Sequence, residues 1–150
     1  MSTTSVRYIV DDVDAAIEFY CGPLGFELHM HPDPAFAMLT RGDLRLVLVS
    51  PVGPDHPGGG SRPMPDGTTQ QPGGWNRIML QVADLKGTVD ELRPQGVRFR
   101  NDMVTGIGSK QILLQDPAGN VVELFEPIRS EAQLSSGNDE RLDSPRRQGS

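Results

Sequence analysis

Two stretches of the chain share one pattern of apolar and polar positions. Each begins with an alternating, β-rich run, continues into an Asp-led segment with apolar residues at helical spacing, and then passes a glycine into another alternating run. Asp12 and Asp84 stand at the same point of the two copies, where an aspartate favours the start of a helix. The repetition predicts two similar modules, and it predicts that any functional site lies where they meet.

The pattern predicts one helix and four strands in each module. In the first module the predicted elements are strand 5–10, a short helix led by Asp12, and strands 26–31, 35–40 and 44–49. In the second module they are strand 76–82, helix 84–93, and strands 97–101, 109–115 and 121–126. A β-α-β-β-β order used twice is an α+β layout in which one helix backs each half of the sheet.

Chain length favours one domain with a shared core. Two repeats of about 50 residues are each too small to bury much apolar surface alone, so we expect a single domain over 1–127. The first repeat occupies 5–50 and the second 75–127. Between them, 51–74 is a Gly- and Pro-rich linker of a length that is usually functional or disordered. Residues 128–150 are polar and charged, and we predict a disordered tail.

Charge and composition exclude several classes of function. A net charge of −6 argues against general nucleic-acid binding, because phosphate contacts need Lys and Arg. No apolar run approaches the about 20 residues of a membrane span, and the N-terminal segment lacks the pattern of a signal peptide. Cys21 is the only cysteine, which excludes an internal disulfide and fits a reducing compartment. We therefore expect a cytoplasmic protein that binds neither nucleic acid nor membrane.

Two motifs resemble the vicinal oxygen chelate superfamily, which includes glyoxalase I, extradiol dioxygenases and the bleomycin and fosfomycin resistance proteins. The first motif runs over 10–20 and is followed by Leu24-Gly25-Phe26. The second is Asp116-Pro117-Ala118-Gly119-Asn120, followed by the alternating strand 121–124. The resemblance covers 5–127. It implies two βαβββ modules that form a curved mixed sheet, a cup that holds a small-molecule ligand, and a homodimer.

Strand alternation predicts which side chains face this cup. In the strand 76–82, the apolar residues at 78, 80 and 82 should pack against the helices, which leaves Arg77, Met79 and Gln81 on the opposite face. Trp75 precedes that strand, either as an aromatic wall of the pocket or as an anchor for the linker. We assign ligand binding to the cup residues Arg7, Arg45, Trp75, Met79, Gln81 and Phe125.

Metal-dependent members of the superfamily carry four His, Glu or Gln ligands on the cup face, one in the first and one in the last strand of each repeat, for Zn, Ni, Mn or Fe. The corresponding positions here are Ser5, Val47, Arg77 and Glu123, and only Glu123 is a suitable ligand. We therefore predict that the chain uses no metal or other cofactor. His29 and His31 share the spacing of one strand face, and we interpret them as exposed imidazoles at a strand end.

Glu123 in a partly apolar cup needs a partner, and Arg77 is the natural one. One interpretation is a structural ion pair in the place of the metal. The other is catalytic, with arginines that clamp an anion and Glu123 as hydrogen-bond acceptor or general base, so Glu123 and Arg77 are our catalytic candidates.

The predicted function is binding of a small organic molecule with acidic character in the cup, without the superfamily metal. This would be sequestration of the antibiotic-resistance type or metal-independent catalysis. The alternative is a metal-dependent glyoxalase-like lyase or isomerase, or a dioxygenase. Fold alone does not choose between these classes.

Overall fold

The computed structural model describes residues 4–51 and 63–128, and its elements follow the predicted repeat. The first module contains β1 (Thr4–Ile9), α1 (Val13–Cys21), β2 (Glu27–Asp33), β3 (Phe36–Arg41) and β4 (Leu44–Val49). The second contains β5 (Ile78–Gln81), α2 (Leu85–Leu92), β6 (Arg98–Phe99), β7 (Val104–Thr105), β8 (Ser109–Gln115) and β9 (Val121–Pro127). The predicted α+β class is confirmed. The expected disorder of the tail and of linker residues 52–62 concerns positions outside the described residues.

Both helices begin at the predicted aspartates. The Asp12 carboxylate accepts a hydrogen bond from the Ala15 amide at 3.1 Å, and Asp84 accepts one from Gly87 at 3.1 Å. Each aspartate thereby satisfies an amide that has no partner within the helix. Neither of these two helices, nor any other in the described ranges, is long and apolar enough to cross a membrane.

Each module forms its own mixed sheet, in which the first strand runs parallel to the last. The strand orders are β1-β4-β3-β2 and β5-β9-β8-β6, with β7 also paired to β8. β1 and β5 therefore lie at the edges of their sheets. One hydrophobic cluster draws buried residues from both modules, so the two repeats share a single core as expected.

The second module departs from the predicted four strands. The predicted strand 97–101 is reduced to the two-residue β6, and a further two-residue strand, β7, follows it, whereas the first module has the seven-residue β2 in that place. Arg100 still donates its amide to the Leu113 carbonyl at 2.8 Å, but the Leu113 amide donates to the Asn101 side chain at 2.9 Å. Because a side chain takes the place of a backbone acceptor, the β6–β8 ladder ends at Asn101.

A buried polar cluster joins the two modules at the Asp-Pro-x-Gly-Asn motif. The fully buried Asp116 carboxylate accepts hydrogen bonds from the Tyr20 hydroxyl at 2.9 Å and from the amides of Ala118 and Asn120 at 2.9 Å. The Asn120 side chain donates both to Asp116 at 3.0 Å and to the Ile9 carbonyl of β1 at 2.8 Å. Burial raises the pKa of Tyr20 well above its ordinary value, and the neighbouring Asp116 adds to the shift.

Tyr8 makes a second connection between the modules. Its buried hydroxyl donates to the Val121 carbonyl and accepts from the Ile78 amide, both at 2.8 Å. Burial is also the main reason that the pKa of Tyr8 is raised. We call Tyr8, Tyr20, Asp116 and Asn120 the seam cluster. Its hydrogen bonds hold β1 and α1 against the second sheet and set the distance between β1 and β5.

Candidate functional site: a cleft between the modules

An open cleft of about 440 Å³ lies where β1 and β5 face each other. Clefts that bind small organic ligands are of about this size. The cleft is lined by Val6, Arg7, Tyr8, Leu44, Asn76, Arg77, Ile78 and Met79. Arg7, Arg77 and Met79 are among the predicted cup residues, whereas the other five lining residues were not predicted, and Ile78 was expected to pack against the helices instead. Asn76 directly precedes Arg77 in the sequence, and this adjacency was the signal that could have found it.

Arg77 and Glu123 form the predicted ion pair beside the cleft. The Arg77 Nε and a terminal nitrogen both lie 2.9 Å from Glu123 Oε1. The other terminal nitrogen donates to the Trp75 carbonyl at 3.1 Å. The Glu123 side chain is 3% exposed and that of Arg77 is 29% exposed. The guanidinium thus reaches from solvent to compensate a buried carboxylate, and all three of its nitrogens are engaged.

The burial of Glu123 follows from its place in the sheet. β9 is a central strand, and Glu123 lies between Met79 of β5 and Leu113 of β8. Its second carboxylate oxygen, Oε2, accepts no hydrogen bond from any residue that the structure describes. A ligand that reaches the pair therefore meets an ion pair with one carboxylate oxygen still available as an acceptor.

The strand registers confirm how the two modules correspond. Met79 pairs with Glu123 between β5 and β9, and Arg7 pairs with Val47 between β1 and β4. Arg7 thus stands in the place of Met79, and Val47 in the place of Glu123. Arg77 stands one residue before the first β5–β9 pair, as Ser5 stands one residue before the Val6 pair.

The donors at these four positions do not fit a divalent metal. Val47 has no donor atom, and Arg77 is a permanent cation that already occupies the Glu123 carboxylate. A serine hydroxyl and one oxygen of a paired carboxylate would have to hold the ion without further protein ligands. Within residues 4–51 and 63–128, no group of three or more His, Cys, Asp and Glu side chains is placed to hold a metal.

His29 and His31 do not form a metal pair either. β2 has register irregularities on both sides of Met30. Both ring nitrogens of His31 are engaged, one with the Phe36 carbonyl at 2.8 Å and one with Asp14 of α1 at 3.1 Å. The bond to the Phe36 carbonyl, followed by the bond to Asp14, raises the pKa of His31. His31 therefore links the edge strand β2 to α1.

The arginines of the first sheet differ from Arg77. Neither Arg7 nor Arg45 forms a hydrogen bond or an ion pair with any described residue. The Arg45 side chain is half-buried, and its Nε is buried without an acceptor. Arg45 lies on β4 between Ser5 of β1 and Thr40 of β3.

The remaining predicted site residues fall into two groups. Trp75 is 64% exposed, with the Arg100 guanidinium 4.7 Å from its ring centre, and Met79 is 51% exposed. Gln81 is half-buried, and Phe125 is only 4% exposed. Trp75 and Met79 are therefore accessible to a ligand, whereas Phe125 is packed inside. Arg100, which lies directly after β6, was not among the predicted site residues.

Two βαβββ-like modules around a cleft define a duplicated α+β domain of the glyoxalase class. The family model of the Glyoxalase/Bleomycin resistance protein/Dioxygenase superfamily matches residues 3–124, and the chain belongs to this superfamily. No curated protein sequence matches the chain.

Solved structures share the fold over most of their length. A superfamily member from Sphaerobacter thermophilus DSM 20745 is 26% identical with a TM-score of 0.65, over 84% of this chain and 97% of its own. The antibiotic-binding protein TnmS3 from Streptomyces sp. CB03234 is 25% identical with a TM-score of 0.62, over 85% and 96%. Lactoylglutathione lyase from Agrobacterium tumefaciens is 21% identical with a TM-score of 0.64, over 83% and 92%, which shows a common fold only.

Proposed function

We propose that this protein binds a small organic molecule with an acidic group in the cleft between its modules, without the superfamily metal. The observation that carries the proposal is the Arg77–Glu123 ion pair, which lies where the superfamily resemblance implies metal ligands. Arg77 neutralises the negative charge of Glu123 that would attract a cation, and the pair forms a polar wall beside an open cleft of about 440 Å³.

The walls of the cleft suit a ligand of mixed character. Met79 offers exposed apolar surface, while Arg7 offers a guanidinium without a protein partner. Asn76 can donate to or accept from an amide, hydroxyl or carbonyl. An acidic molecule with an apolar body therefore matches the lining better than a fully polar or fully apolar one.

Binding without conversion is the function that the ion pair supports best. Both nitrogens of Arg77 hold Oε1 of Glu123, which leaves only Oε2 to the ligand, and we propose that this oxygen accepts a hydrogen bond rather than a proton. TnmS3, a structural neighbour, is described as an antibiotic-binding protein. By this likeness we include antibiotic-like molecules with acidic groups among the ligands to test, and we propose sequestration rather than turnover.

Trp75 makes the proposal directly testable, because it is the only tryptophan and its backbone carbonyl touches Arg77. Organic acids and acidic antibiotics would be titrated into protein kept in chelator, with tryptophan emission and mass spectrometry of the ligand as readouts. We expect saturable binding at about one ligand per chain and recovery of the unchanged ligand. Binding that requires added Zn, Ni, Mn or Fe would contradict the proposal, as would conversion of the ligand.

We also propose that the chain forms a homodimer, which the superfamily resemblance implies. In support, the edge strand β2 exposes Leu28 and Met30, which are 49% and 41% exposed. Light scattering during gel filtration measures the mass directly. A monomer at all concentrations would contradict this part of the proposal and leave the ligand proposal intact.

A further inference from the structure

We propose that the acidic group of the ligand binds to the first sheet, between Arg7 and Arg45, and that the ligand is an organic acid whose apolar body lies over Met79. This inference rests on the proposed function and adds to it the position of the acidic group and the orientation of the ligand. It also decides which of the three cup arginines binds the anion, a question that the sequence left open.

Arg77 is not available to hold an external anion. Its Nε and one terminal nitrogen contact Glu123, and its other terminal nitrogen donates to the Trp75 carbonyl. An anion that approached this guanidinium would have to displace a buried carboxylate at the same time. The arginine of the second sheet thus belongs to the protein's own ion pair.

Arg45 differs from Arg77 because its side chain has no hydrogen-bond partner among the described residues. Its Nε is buried and has no acceptor in the protein. A buried N–H of a charged group that lacks an acceptor is unfavourable, and buried donors in folded proteins are nearly always satisfied. A ligand oxygen would satisfy the donor once the half-buried side chain turned it toward the cup. This unpartnered nitrogen is the observation that points to a ligand on the first sheet.

Arg7 completes the subsite. Ser5 pairs with Arg45 and Arg7 pairs with Val47, so Arg7 and Arg45 point to the same face of the sheet as diagonal neighbours, at about 7–8 Å between their Cα atoms. Arg7 also lines the cleft, which connects the subsite to the rest of the site. Glu27 lies on the same row beyond Thr40, but no ion pair joins it to Arg45.

The chemistry of the subsite defines the group that it would take. Two guanidinium groups on one face can bind the oxygens of a carboxylate, a sulfonate or a phosphate through parallel hydrogen bonds. The hydroxyls of Ser5 and Thr40 flank Arg45 and can contribute further bonds. Met79 lies on the opposite wall of the cleft and is 51% exposed, so the apolar part of the ligand would contact it there.

A matched pair of fluorescent probes tests this assignment. The anionic probe is 1-anilinonaphthalene-8-sulfonate, and the neutral probe is N-phenyl-1-naphthylamine, which has the same rings and no sulfonate. Trp75 is the only tryptophan, and energy transfer from it is strongest for probe bound near the cleft. We expect the wild-type protein to prefer the anionic probe, and we expect Arg45→Met and Arg7→Met each to reduce that preference about tenfold. Arg93→Met removes an arginine at the end of α2 and should leave the preference unchanged.

Thermal melting of the probe-free variants separates binding from a structural role. Because the Arg45 Nε has no partner in the free protein, Arg45→Met should melt at the wild-type temperature or above it. A lower melting temperature together with equal loss of both probes would mean that Arg45 is structural and would overturn the inference. Loss of the preference in the double variant Arg77→Met/Glu123→Gln but not in Arg45→Met would also overturn it.

The binding of the two probes distinguishes a failure of this inference from a failure of the proposed function. If both probes bind near Trp75 with equal affinity, the cleft binds organic molecules but has no anion subsite, and only the inference fails. If neither probe binds near Trp75, the proposed function fails as well.

Discussion

The seam cluster and the cup surface, the face of the first sheet that carries Arg7 and Arg45, both contain buried polar groups. Those of the seam cluster are hydrogen-bonded, whereas one on the cup surface has no acceptor. In the seam cluster the Asp116 carboxylate receives four hydrogen bonds from Tyr20, Ala118 and Asn120. On the cup surface the Arg45 Nε is buried and receives none. Buried polar groups that are hydrogen-bonded stabilise the fold, whereas a buried polar group without a hydrogen-bond partner reduces stability unless a ligand supplies that partner.

The difference separates the part of the molecule that holds the modules together from the part that is open to a ligand. The Asp-Pro-x-Gly-Asn motif, on which the resemblance to the superfamily partly rests, belongs to the part that holds the modules together. The side chains of Asp116 and Asn120 form hydrogen bonds within the protein, and neither residue lines the cleft. The Arg77–Glu123 pair is intermediate, because it is satisfied internally and yet borders the cleft.

The largest expected effect is the loss of the seam carboxylate. Asp116→Ala leaves four donors, three of them buried, without their acceptor and should lower the free energy of unfolding by about 3 kcal/mol or more. Urea unfolding followed by circular dichroism measures the change. Asp90→Ala is the control, because Asp90 forms only an exposed pair with Lys86 and its loss should not move the midpoint. Equal midpoints for the two variants would contradict the division between seam and cup.

An intermediate effect is expected at the ion pair. Arg77→Met leaves the buried Glu123 charge without its partner and should cost about 2 kcal/mol, since Arg77 is 29% exposed and water screens part of the interaction. The double variant Arg77→Met/Glu123→Gln removes both charges and should recover most of that loss. The same urea experiment measures both variants. A double variant no more stable than Arg77→Met would show that the pair does not act as a unit.

The smallest effect is expected at the exposed contact between His31 and Asp14. Because the pKa of His31 is raised on folding, this contact stabilises the protein fully below about pH 6.5, the ordinary histidine pKa, and its contribution is lost as the pH rises through the higher folded-state value. The unfolding free energy of wild type minus that of His31→Gln should therefore fall over this range of pH. The same difference measured in an Asp14→Asn background should fall less steeply, because one of the bonds that raise the pKa of His31 is weakened there. A difference that stays constant with pH would contradict the role of the contact.

Much of the scaffold could be predicted because it follows from local rules. Asp12 and Asp84 mark helix starts through a short-range bond that needs no tertiary information. Alternation correctly separated Ile78 and Leu80 from Arg77, and the repeat then pointed to the pairing of Arg77 with Glu123. That pairing depends only on which residues occupy neighbouring strands on one face.

The rest depends on contacts that alternation does not encode. The break after β6 arises because the Asn101 side chain reaches the Leu113 amide, and no periodic pattern signals such a bond. Phe125 is on the predicted face yet is buried, because a central strand can be covered on both sides. The missing acceptor of Arg45 is a property of the folded surroundings alone, so the sequence left open which of the arginines clamps an anion.

The bond from the Gly73 amide to the Asn120 side chain, 2.7 Å long, fixes the chain to the seam cluster just before it enters the cleft. Asn120 belongs to the seam cluster, so the chain is already tied to the second module before it reaches Asn76 and Arg77. The wall of the cleft is therefore positioned by the same hydrogen bonds that hold the two modules together, so a change in the seam cluster would also alter the site.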